Sequence, residues 1–147
     1  MTGVQTCALP IWVRADAGAA TVGAIVVPPT TMQDVNANFW PGFDWALLAD
    51  RCDVFVPMNY WTARLASSPW SVAGASTAEN IRRLRALAGR ADYPVHVVGG
   101  VANLVTDTQV RDMVAAVRAE RAIGASLYDV ATTPAGLWAA QIGRAHV

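Results

Sequence analysis

Apolar positions in this chain come in short unbroken blocks, separated by longer stretches in which they recur every three or four residues. Thr21 to Val27 is apolar and rich in β-branched residues, and Pro28-Pro29 ends it. A run of that length with no polar alternation predicts a strand buried on both faces, as in a parallel sheet. Asp53 to Met58, Pro94 to Gly100 and Ala122 to Tyr128 repeat the pattern and predict three more strands. The intervening stretches predict helices. A short helix spans Asp44 to Arg51, with Trp45, Leu47, Leu48 and Ala49 as its apolar positions. Ser76-Thr77-Ala78-Glu79 has the spacing of a capping box, in which the Ser oxygen accepts from the N3 amide and Glu reaches back. The helix that follows carries Ile81, Leu84, Leu87 and Ala88 on one side, and Gly89 supplies a left-handed end. Thr106 to Gln109 offers a second capping box for a helix reaching about Arg121, with Val110, Met113, Val114 and Val117 inward. Thr133-Pro134 has the form of N-cap and N1 of a last helix containing Leu137 and Trp138.

Strands alternating with helices predict a parallel α/β layout with right-handed crossovers. The loops choose between an open sheet and a barrel. Those after the first two strands, Thr30 to Gly42 and Tyr60 to Ser76, are long and hold Phe39, Trp40, Trp61 and Trp70. The helix-to-strand links at residues 51–53 and 121–123 are very short. That asymmetry is expected when a site is built on the βα face of a barrel. Neither G-x-G-x-x-G nor a P-loop follows the first strand, and Gly99-Gly100 alone is more often a tight turn than a phosphate cradle. The expected fold is α/β, the C-terminal half of a TIM (β/α)8 barrel of about four βα units, truncated.

The two ends share an origin. Writing Thr6 to Ile11 as ACG TGT GCT CTT CCG ATC, after the G that closes a Gln5 codon, gives a reverse complement of ATC GGA AGA GCA CAC GTC. That word translates as Ile-Gly-Arg-Ala-His-Val, the closing residues 142–147. Residues 1–11 and 142–147 are therefore expected to be translated sequencing adapter, leaving 12–141 as a partial barrel domain.

With the ends set aside, Cys52 and His96 are single representatives of their types, which excludes a disulfide framework and any zinc spacing. No metal and no cofactor is expected. The 54% hydrophobic content indicates a folded chain. Eleven cations, all Arg, balance eleven anions, so no net field favours nucleic acid or an anionic membrane. The longest apolar runs are too short to span a bilayer.

On a barrel, residues at the C-terminal ends of strands face the site, which here selects Thr30, Met58, Asn59, Tyr60, Trp61, Gly99, Asn103, Tyr128 and Asp129. Asn59 can hold a hydroxyl or amide, Tyr60 and Tyr128 can donate to a carbonyl or acetal oxygen, and Trp40, Trp61 and Trp70 offer flat faces that suit sugar rings. The same aromatics can equally plug the mouth. Asp129 is the one carboxylate at a strand exit, whereas glycoside hydrolysis ordinarily needs two. His96 lies inside an apolar strand and reads as a packed core residue, Cys52 as packing, and Asp44 and Asp53 as capping or solvated. Arg64 is a lone candidate for a carboxylate or phosphate.

Val56-Pro57-Met58-Asn59-Tyr60-Trp61 resembles the sixth-strand motif of chitinase-like and related glycoside hydrolase barrels, Met-x-Tyr, with Trp61 standing where Asp often follows. The resemblance covers roughly residues 21–138. It implies that Tyr60 reaches the substrate near its N-acetyl or anomeric region and that Tyr128, at the last strand end, lines the sugar site. The family's acidic D-x-x-D-x-D-x-E run belongs to its fourth strand, upstream of this chain. The implied function is a piece of a carbohydrate-active hydrolase, itself inactive, with a carbohydrate substrate and a secreted or cell-surface parent. Two alternatives stay open: a non-catalytic carbohydrate- or cell-wall-binding barrel, and a barrel enzyme on a phosphorylated metabolite that uses Gly99-Gly100.

Overall fold

The computed structural model describes residues 4–129, 131 and 133–137, with side chains from residue 10 onward. Its elements run α1 (Val4–Ala17), β1 (Gly23–Val26), α2 (Trp45–Arg51), β2 (Val54–Pro57), α3 (Ala73–Leu87), β3 (His96–Val101), α4 (Asp107–Ala119) and β4 (Gly124–Tyr128). All four expected strands form. Each is short, and each pairs in parallel with its sequence neighbour. β1 pairs with β2 from Gly23 opposite Val54 to Val26 opposite Pro57, and β3 pairs with β4 from His96 opposite Gly124. Two single parallel bridges, Phe55 to Val95 and Met58 to Val98, join the two small sheets. The strand order is therefore the chain order, and the described strands do not close into a barrel.

Local chemistry explains most element ends. Asp44 caps α2 by accepting from the Leu47 amide at 2.9 Å. At α4 both halves of the expected capping box are made, Gln109 N–H to Thr106 Oγ1 and Thr106 N–H to Gln109 Oε1. Gly89 has φ +67°, the left-handed value expected after α3. The start of α3 differs from expectation: the helix begins at Ala73, with Val72 as a cap that offers no side-chain oxygen, and the Ser76–Glu79 box does not form. The reason lies in competing partners. Ser76 is buried inside the helix with its hydroxyl on Asn59, and Glu79 is taken by Arg82 and Arg83. The adapter-like segment is helical from Val4, and Arg14 in the same helix bonds Asp53 at 2.5 Å and the Arg51 carbonyl at 2.9 Å. At the other end, Leu137 is buried and donates its amide to the Pro134 carbonyl. Trp138 and residues 142–147 lie outside the described residues.

Register and the two-residue period of strands sort the side chains onto two faces. Ala24, Phe55, Val95, Val97 and Leu127 point toward the helices and join Ile81, Leu84, Val110, Met113 and Val117 in one core. Ile25, Val56, His96, Val98 and Ser126 point the other way. That second face is partly bare: Ile25 is 68% exposed and the other four are half-buried.

Candidate binding site at the strand ends

The exits of β1 and β2 are held by a buried polar knot. Asn59 follows β2, and its backbone amide bonds the Val98 carbonyl of β3 at 2.7 Å. Its side chain is engaged at both ends within the fold. Oδ1 accepts from Ser76 Oγ at 2.7 Å and from Asn80 Nδ2 at 3.1 Å, while Nδ2 donates to Thr77 Oγ1 at 3.2 Å. Asn80 Oδ1 accepts from the Thr30 amide, which ties the end of β1 to the same helix. Expected as a substrate contact, Asn59 is placed as a strap between β2 and α3. Ser76 and Thr77 were expected in a helix-capping box rather than in this knot, and Asn80 was not singled out from sequence. The signal existed, because they continue the helical face of Ile81 and Leu84 with polar residues, a pattern that asks for buried partners.

Trp61 is 1% exposed and lies under β3 rather than at an open mouth. The glycine pair makes this possible. A Cβ on Gly99 would stand 2.7 Å from Trp61 Cη2 and 2.5 Å from Met113 Sδ, and one on Gly100 would stand 2.9 Å from Trp61 Cε2. Gly99-Gly100 is thus the floor on which the indole rests, which accounts for both glycines by packing. The indole Nε1 is buried without a hydrogen-bond partner among the described residues.

Tyr60 and Tyr128 are brought together. They leave the ends of β2 and β4, two strands apart in the sheet order, yet their ring centroids are 5.4 Å apart at 53°. Tyr128 is 50% exposed and Tyr60 half-buried. Burial, reinforced by the neighbouring Tyr128, pushes the Tyr60 phenol above its ordinary range, so it stays a hydrogen-bond donor at neutral pH. Asp129 follows Tyr128 across a cis peptide bond and is half-buried, and its backbone carbonyl accepts from Thr133 Oγ1 at 2.6 Å. On the β1 side, Arg64 reaches from the loop after β2 to donate to Thr31 Oγ1 in the loop after β1. Burial lowers the guanidinium pKa, the direction expected for a cation removed from water.

Trp40 belongs to a different cluster. It stacks on Phe43 at 5.1 Å and 13°, and the rings continue through Trp45, Phe55 and Tyr93 into the core. Trp40 itself is 43% exposed near the outer end of that ladder, where Phe39 adds a further ring at 5.5 Å. Trp70 sits beneath the Arg83 guanidinium at 5.2 Å. Of the residues expected at the site, Tyr60 and Tyr128 therefore share one place, with Asp129 next in the chain, while Asn59 and Trp61 are interior and Trp40 precedes α2.

The remaining candidates fall as structural residues. Cys52 caps α2 and is buried, and its carbonyl accepts from the Tyr93 hydroxyl at 2.5 Å. Burial pushes that tyrosine up to about 12. Asp53 receives Arg14 and the Val22 amide, which hold its carboxyl below the usual range. His96 packs against Gly124, where a Cβ would come within 2.9 Å of Nδ1, and its Nε2 lies 3.2 Å from Ser126 Oγ. Among the described residues no group of three acidic, Cys or His side chains is placed to hold a metal ion, and no helix is long and apolar enough to cross a membrane.

Compared with known protein families, curated proteins and solved structures, the chain matches none.

Proposed function

We propose that this chain is the C-terminal half of a (β/α)8 barrel from a carbohydrate-active hydrolase, and that it supplies sugar contacts while the parent cleaves a glycosidic bond. The observation that carries this reading is the meeting of Tyr60 and Tyr128 at 5.4 Å above strands that are all parallel and lie in chain order. Consecutive parallel strands with helices on one side make the arc from which a barrel is built, and its ligands bind at the strand C-termini. Two phenols there give two apolar ring faces, tilted 53° to one another, with two donors, which suits a pyranose ring and its oxygens. Asp129, next in the chain, would add a carboxylate acceptor for a sugar hydroxyl. Cleavage would call on a pair of carboxyl groups, which in this reading, general acid included, lay on an upstream strand. The chain alone is then a binder without turnover.

Asp129 is the sole carboxylate at a strand exit among the described residues, which favours a second reading, a non-catalytic carbohydrate- or cell-wall-binding barrel. For a barrel acting on a phosphorylated metabolite, the motivating glycine pair is already filled by Trp61. Titrating the chain with soluble chitin, glucan and xylan oligosaccharides, followed by tyrosine NMR resonances, tests sugar binding. Saturable shifts of Tyr60 and Tyr128 with one polymer class support both sugar readings, and no shift with any of them overturns both. Assaying the extended gene product for hydrolysis separates enzyme from binder.

A further inference from the structure

We infer that Arg64 recognises an anion at the strand-end site, and that the ligand it fits is the carboxylate of an acidic sugar residue. The inference rests on the sugar-binding reading above and adds the charge class of the ligand.

The case comes from comparing Arg64 with every other described guanidinium. Arg14, Arg82, Arg83, Arg90 and Arg111 each lie within 4 Å of a carboxylate. Arg85, partly buried, spends its donors on the carbonyls of Tyr93, Glu120 and Arg121. Arg51, Arg118 and Arg121 are exposed, where water solvates them. Arg64 alone is half-buried with neither a carboxylate nor a side-chain bond to a backbone carbonyl, and Thr31 Oγ1 is its sole side-chain partner among the described residues. A cation withdrawn from water without a counter-charge is unfavourable unless something supplies that charge.

Position identifies where the counter-charge would enter. Arg64 lies in the loop after β2 and Thr31 in the loop after β1, both on the C-terminal side of the strands that also presents Tyr60 and Tyr128. The guanidinium has five donors in a planar fork, and one contact to a hydroxyl leaves most of them unused. A carboxylate matches that fork with two parallel bonds. Thr31 Oγ1 accepts from Arg64 and keeps its own proton to donate to the same anion.

Arginine-labelled NMR of the intact chain tests this with three probes at equal concentration: glucuronate, glucose and inorganic phosphate. Glucuronate is expected to shift the Arg64 Nε–H resonance saturably, with glucose leaving it unmoved, and Arg64→Gln is expected to weaken glucuronate binding at least tenfold. Arg51→Gln, at an exposed site, serves as the control that changes nothing. Should R64Q fail to fold, the wild-type resonance still gives the answer. If glucose and glucuronate move the Tyr60 and Tyr128 resonances equally while Arg64 stays still, this inference fails and the sugar-binding reading stands. Saturation by phosphate alone overturns the acidic-sugar ligand, and absence of any shift overturns the inference, while the sugar-binding reading beneath it is decided by the oligosaccharide titration.

Discussion

The two faces of the sheet are made of similar residues and are treated in opposite ways. Toward the helices, Phe55, Val95 and Val97 are fully buried against Ile81, Leu84 and Val110. On the other side Ile25 is 68% exposed, and Val56, Val98, His96 and Ser126 are only half covered. A β-branched run with no polar alternation suits a strand covered twice, so one cover is present and one is missing. In a closed barrel the missing cover is the inward side chains of the opposite strands. The contrast teaches that the helix side of this sheet is a finished core, while the other side is left partly open among the described residues.

The largest effect separates the faces directly. Phe55→Ala removes a ring from the centre of the aromatic ladder and is expected to cost about 3–5 kcal/mol, read by urea unfolding; a loss below about 1 kcal/mol would mean that the helix-side core is loosely packed. Next comes Gly99→Ala, whose new methyl collides with the rigid Trp61 ring. It is expected to cost about 1–3 kcal/mol by overpacking, and an unchanged midpoint would show that Trp61 does not rest on this strand. Asn59→Ala leaves Ser76, Thr77 and Asn80 short of partners in the knot and is expected to cost about 1–3 kcal/mol, again by unfolding midpoint, with little change if water enters and replaces the amide.

The open face makes two smaller predictions. Burial holds the His96 imidazole below its usual pKa of about 6.5, so the folded state refuses a proton that the unfolded chain accepts. Its stabilising share is complete above about pH 6.5 and is lost as pH falls from there toward the folded value. Midpoints at pH 7.5 and 5.0 should therefore differ more for the wild type than for His96→Gln, and equal differences would put the pH dependence elsewhere. Smallest of all, Ile25→Ser should change monomer stability by less than about 0.5 kcal/mol. It should also reduce concentration-dependent association in sedimentation, since an exposed apolar strand with free edges invites pairing. A wild-type monomer at every concentration, with a sharp two-state melt, would show that the face needs no partner.

Much of the fold was legible because it is local. Strand runs, the Thr106 box, the Asp44 cap and Gly89 are decided by neighbours within a few residues, and each formed as expected. The start of α3 was not, since Ser76 has two possible partners and only the fold brings Asn59 within 2.7 Å of its hydroxyl. The site was legible in part for the same reason. Position at a strand end picked out Tyr60 and Tyr128, whose rings the fold brings to 5.4 Å, but it could not tell which side of the strand Trp61 would take. Gly99-Gly100 held that answer, because a glycine pair beside a tryptophan fits packing as well as it fits a phosphate. Arg64 carried little weight alone, and its meaning depends on carboxylates that surround other arginines and not this one.

The half-barrel reading is tested most directly by recovering the source DNA on the upstream side of the adapter-like segment. It predicts a reading frame that continues through about four more βα units, with two or three spaced acidic residues at the end of the last of those strands. A frame that opens near Trp12 with its own initiator would contradict it, and would make this chain a complete small α/β domain whose bare face has another purpose.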